Sequence, residues 1–112
     1  MKELINMIDI TAQAELNRAN KTWPQFNSKH EAMGVIDEEV FEMNIELEQT
    51  NKWLKELRIA VYRDFDLEKP IREMERKLSA ALAEGVQVLA MLKKFRVLLD
   101  KENKNEMRTV QR

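Results

Sequence analysis

The sequence predicts an all-α fold, a helical bundle. Only 2 Gly and 2 Pro occur in 112 residues, too few turn-forming residues for an all-β chain. Charged residues make up 35% and hydrophobic ones 44%, the balance of helices with one polar and one apolar face. The apolar residues also recur at helical spacing through most of the chain. This length suits one domain, residues 1–112, whose own core is thin. A four-helix-bundle-like core completed by oligomerisation is therefore expected.

The first helix is expected over residues 2–20, with Leu4, Met7, Ile8 and Leu16 on one face and Ile5 and Ala12 beside it. Pro24 disfavours helix at Trp23, so residues 20–27 form a loop with two aromatics, Trp23 and Phe26, placed to plug the end of a bundle. Ser28 and Glu31 have capping-box spacing and start the second helix. Its core face is Ala32, Met33, Ile36, Val40, Met43 and Leu47, and it runs to about Thr50. Residues 51–62 are helical too, with Trp53, Leu54, Leu57 and Val61 apolar. Residues 64–70 break the pattern, and Pro70 suits the first turn of a new helix. That last helix is expected over about 71–101, followed by a polar, frayed tail over 102–112. Apolar heptad spacing stops too soon for a dedicated coiled coil.

Several functions are disfavoured. The net charge of −1, from 19 basic and 20 acidic residues, gives no electrostatic footprint for a nucleic-acid polymer. The absence of Cys excludes disulfides, thiolate metal sites and Cys nucleophiles. No signal-peptide layout and no membrane-length apolar run is present. A cytoplasmic protein without membrane contact is the expectation. The one His, His30, falls in a first helical turn and is expected to be exposed, with no metal role.

The chemistry-bearing residues are carboxylates. Glu38, Glu39 and Glu42 fall within about one helical turn. Charged residues opposite a core face usually meet water. Here Glu31, Glu38, Glu42 and Glu46 fall opposite the core face with Glu39 at the edge, but Val35 and Ile45 share the side of Glu31, Glu38 and Glu42, and Phe41 flanks it. Few cations on this helix relieve the repulsion between glutamates, about 0.2–0.5 kcal/mol per i,i+4 pair. On the last helix, Glu84 projects from an apolar stripe of Met74, Ala81, Val88, Met91, Leu92, Phe95 and Leu99, with Gln87 one turn on. A carboxylate in such a place needs a partner. That partner is either a Lys or Arg from another helix or a cation shared with the second helix. Oxygen-only ligands would favour Mg²⁺ or Mn²⁺ over zinc.

Glu38-Glu39-Val40-Phe41-Glu42, followed far downstream by Glu84-Gly85-Val86-Gln87, resembles the paired acidic motifs of MazG-like all-α nucleoside triphosphate pyrophosphohydrolases. The flanks, Trp23 to Glu31, Val35 to Glu39 and Glu84 to Met91, are similar to the short phage and bacterial members. The resemblance covers roughly Trp23 to Arg96. Gln87 stands where the pattern has Asp, and its uncharged carbonyl implies weaker Mg²⁺ affinity. Residues 50–73 form a longer spacer than short members carry. The resemblance implies a self-associating dimer or tetramer that cleaves a nucleoside triphosphate to monophosphate and pyrophosphate with Mg²⁺, Mn²⁺ being an alternative. The ligand positions it implies are Glu38, Glu39, Glu42, Glu84 and Gln87, with Glu38 or Glu39 as general base. Lys52, Arg63, Lys93 and Lys94 are candidates for the phosphates, and Trp23 or Phe26 for the base. The alternatives are a non-catalytic nucleotide-binding protein of this fold and a plain helical interaction module.

Overall fold

The computed structural model describes residues 1–110, with side-chain burial described through Glu106. The chain is all-α. It forms α1 (Lys2–Ala19), α2 (Lys29–Tyr62) and α3 (Glu68–Val110), with no strand among the described residues.

Each helix end has a chemical cause. The Ser28 hydroxyl oxygen accepts the Glu31 backbone N–H at 3.1 Å, and Glu31 reaches back to accept the Asn27 N–H at 3.4 Å. This is the expected capping box, with the return bond displaced by one residue. At the end of α2, Asp64 takes the left-handed conformation at φ 53°, and the Phe65 N–H donates to the Ala60 carbonyl. That six-to-one bond is a Schellman stop. The Asp66 carboxylate then accepts the Glu68 N–H at 3.3 Å, and α3 begins with Pro70 in its first turn.

Three expected boundaries shift. α2 does not stop near Thr50 but continues to Tyr62 as one helix. Nothing between these points breaks it, and the Thr50 hydroxyl donates to the Glu46 carbonyl one turn back, so its polar group is satisfied within the helix. α3 starts three residues before Ile71, and it runs through 102–110, where frayed chain was expected. That segment is polar, but its Lys, Glu, Met and Arg are strong helix formers.

The chain divides into two units, and the division falls inside α2 and α3. The first unit comprises Met1–Glu38 and the chain from Val86 on. Its core is Ala12, Leu16, Phe26, Ala32, Ile36, Ala90 and Met91. Phe26 is inside as expected, but Trp23 is not, being 73% exposed. Met33, expected on the core face, is exposed, as are Leu92 and Leu99 of the α3 stripe. Three small residues, Ala12, Ala32 and Ala90, are the completely buried ones. Close approach of the helices leaves larger neighbours at the margins.

The second unit, Glu39–Gly85, is an antiparallel pair: the rest of α2 and the first part of α3. One series of its less exposed positions steps by four and three: Glu39, Met43, Glu46, Thr50, Trp53, Leu57 and Ala60 on α2, then Pro70, Met74, Lys77, Ala81 and Glu84 on α3. This is coiled-coil stepping, sustained further than the apolar pattern suggested. Charged and hydroxyl side chains occupy five of these positions, so hydrophobicity alone does not reveal the register.

Candidate metal centre

The seam of the second unit carries the carboxylate site. Glu39 and Glu42 lie three residues apart on α2, so both project to one side. Glu84 comes from α3. One carboxylate oxygen from each lies within 4.8 Å of the other two. Glu39 and Glu84 are half-buried and Glu42 is exposed. Three anions this close repel by on the order of 1 kcal/mol per pair even in water, and by more where water is partly excluded. The donor set is oxygen only, charged and convergent from two helices, which suits a hard divalent cation such as Mg²⁺ or Mn²⁺. The Gly85 backbone lies beside Met43, whose sulfur would sit 3.5 Å from an added Cβ. The carboxylates thus stand next to a closely packed stretch of the seam.

The other expected ligands are placed differently. Glu38 is exposed and is not one of the three clustered residues. Gln87 belongs to the first unit, where its amide Nε2 donates to the Glu15 carboxylate at 2.8 Å. Glu15 also accepts from Arg18 at 2.7 Å. The Arg18 bond first, and then that of Gln87, holds the Glu15 carboxyl below the usual range. Glu15 was not singled out in the sequence, because its partner lies 72 residues away.

The cationic candidates separate clearly. Lys52 is exposed beside an open groove with Trp53 and Phe65, and Arg63 is exposed. Lys93 pairs with Asp9 at 2.5 Å. Lys94 is buried, its ammonium donating to the Trp23 carbonyl and lying 4.7 Å from the centre of the Phe26 ring. Burial lowers its pKa, and nearby Glu31 opposes that shift. Lys94, Phe26, Trp23, Arg18 and Glu31 line one open cleft of about 590 Å³ in the first unit. That cleft is lined by two aromatics, two cations and one carboxylate. His30 is exposed, as expected.

Two residues of the second unit take places the sequence did not assign them: Glu46, expected on the side of α2 opposite the core, stands on the seam, and Lys77 was not singled out. Glu46 and Lys77 form an ion pair at 3.6 Å, with side chains 26% and 18% exposed. Their signal was a spacing of seven: Glu46 follows Glu39 by two turns, and Lys77 precedes Glu84 by two.

No helix of the described residues is long and apolar enough to cross a membrane. Comparison of the chain with known protein families, curated proteins and solved structures returned no match.

Proposed function

We propose that this chain is a Mg²⁺-dependent nucleoside triphosphate pyrophosphohydrolase of the MazG-like type, converting a nucleoside triphosphate to monophosphate and pyrophosphate. One observation carries the reading. Glu39, Glu42 and Glu84, from the two motifs that suggested the family, bring their oxygens within 4.8 Å of one another. Their convergence costs repulsion, which a bound divalent cation would relieve.

In this reading Glu39, Glu42 and Glu84 hold the cation. Bound Mg²⁺ would neutralise phosphate charge and lower the pKa of the attacking water. Glu38 or Glu39 accepts that water's proton. The water oxygen bonds to the α-phosphorus, the bond from that phosphorus to the bridging oxygen breaks, and pyrophosphate leaves with the electron pair.

Self-association in the cytoplasm belongs to the same proposal. The second unit is only two helices deep, and Phe41, Ile59, Phe65, Ile71, Leu78 and Leu82 are exposed on it. Burying such side chains against a partner is one way to complete a thin core. A second copy of the chain would cover them and complete a four-helix bundle.

The engaged Gln87 amide favours one second reading: a nucleotide-binding protein of the same fold with little or no turnover. Incubation with a panel of natural and modified triphosphates, with Mg²⁺ and with Mn²⁺, separates the two. Monophosphate plus pyrophosphate is expected, and no product from any member of the panel sinks the enzyme. Glu42→Gln should lower the rate on the order of 100-fold or more, since even outer-shell partners of a metal cost 10–100-fold. The same substitution should raise thermal stability in chelator, because it relieves repulsion, and abolish the stabilisation that Mg²⁺ gives.

A further inference from the structure

The geometry points to Lys77 as a phosphate-binding residue beside the carboxylate site, a cation that takes the outer phosphates of the substrate. This rests on the pyrophosphohydrolase reading above.

Lys77 is the one Lys or Arg of the second unit that is not exposed; every other cation between Glu39 and Gly85 stands in water. It occupies a seam position on α3, two turns before Glu84, about 10 Å along the axis. Its partner Glu46 lies one turn beyond Glu42 on α2. The helices are antiparallel, so both displacements run in the same direction along the seam. The Lys77–Glu46 pair is therefore the next charged step after the carboxylate cluster.

Charge gives that step a use. Glu39, Glu42, Glu84 and Glu46 bring four negative charges to the seam, and Lys77 brings one positive charge. A triphosphate cannot enter such a seam without cations. A divalent ion on the cluster neutralises the phosphates nearest it. The phosphates further along need a cation that the protein itself supplies, and Lys77 is the one placed there.

The present partner holds Lys77 loosely. The ammonium lies 3.6 Å from the Glu46 oxygen, beyond the 2.7–2.9 Å typical of a charge-assisted hydrogen bond. That oxygen is buried and has no hydrogen-bond partner. The contact is charge attraction alone, and it leaves the three N–H donors of Lys77 for a better acceptor. Phosphate oxygens are such acceptors. Glu46 is then a positioning residue, keeping Lys77 on the seam until substrate arrives.

Calorimetry on the full chain tests this with two probes: Mn²⁺ alone, and inorganic tripolyphosphate in the presence of Mg²⁺. Lys77→Met should leave Mn²⁺ affinity within about twofold, or tighten it. It should weaken tripolyphosphate binding about tenfold or more, as loss of a charged hydrogen bond does. Lys77→Arg should restore most of the difference, and KM should rise more than kcat falls. Equal tripolyphosphate binding by Lys77→Met and the unsubstituted protein overturns the assignment and leaves the metal site standing. Loss of Mn²⁺ binding in Lys77→Met also overturns it, making Lys77 a structural brace. If the unsubstituted protein binds no Mn²⁺, or Glu42→Gln binds it equally well, the metal reading fails and this assignment fails with it.

Discussion

The two units solve the same packing problem with different chemistry. Among its described residues the first unit buries seven apolar ones, from three helices and a loop. Among its described residues the one buried cation, Lys94, is provided for, with a carbonyl to donate to and an aromatic ring beneath it. The second unit has two helices, and its seam is interrupted by Glu39, Glu46, Thr50, Lys77 and Glu84. One of its ion pairs is loose, and three of its carboxylates converge. Polar groups held off from water are costly unless satisfied. A chain that places them on the seam of its thinner unit gives up local stability there. Such concessions concentrate at functional positions.

Matched core truncations test this contrast most strongly. Phe26→Ala in the first unit should cost about 3–5 kcal/mol, the range for deleting a buried aromatic. It also removes the ring under Lys94. Leu57→Ala in the second unit should cost roughly half as much, since Leu57 is only half-buried and has less transfer energy to lose. Denaturant titrations measure both. Equal costs would mean that the second unit is packed as well as the first, and the contrast would collapse.

The helix ends give smaller effects. Ser28→Ala removes the cap at the start of α2 and should cost about 1 kcal/mol. Its companion Glu31 also lies near Lys94, so the loss should appear as earlier melting of the first unit. Asp64→Gly should act in the opposite direction. Asp64 is a non-glycine residue at φ 53°, and glycine adopts that conformation without the Cβ penalty. A gain of a few tenths to about 1 kcal/mol is expected, read as a higher denaturation midpoint. No gain would show that the Asp side chain offsets its own strain at the turn.

Much of this was legible in the sequence. The capping box at Ser28, the break around residue 64 and the helical character of every long segment follow from local chemistry, and the structure carries each of them. Glu39, Glu42 and Glu84 were also nameable, because i,i+3 spacing and a carboxylate within an apolar stripe are one-dimensional signals. Boundaries were less legible. The continuation of α2 past Thr50 depends on a hydroxyl satisfied by its own helix, and the start of α3 depends on the Asp66 cap.

The sequence by itself determined the helices and the carboxylates available to a site, because propensity, capping and periodicity act over a few residues. Only the tertiary structure decided which of those carboxylates meet. It separated Glu38 from the clustered three, gave Gln87 to Glu15, and set Lys77 against Glu46. Each of those outcomes depends on register between helices far apart in the chain. Where polar residues stand on the seam, the hydrophobic pattern cannot announce that register in advance.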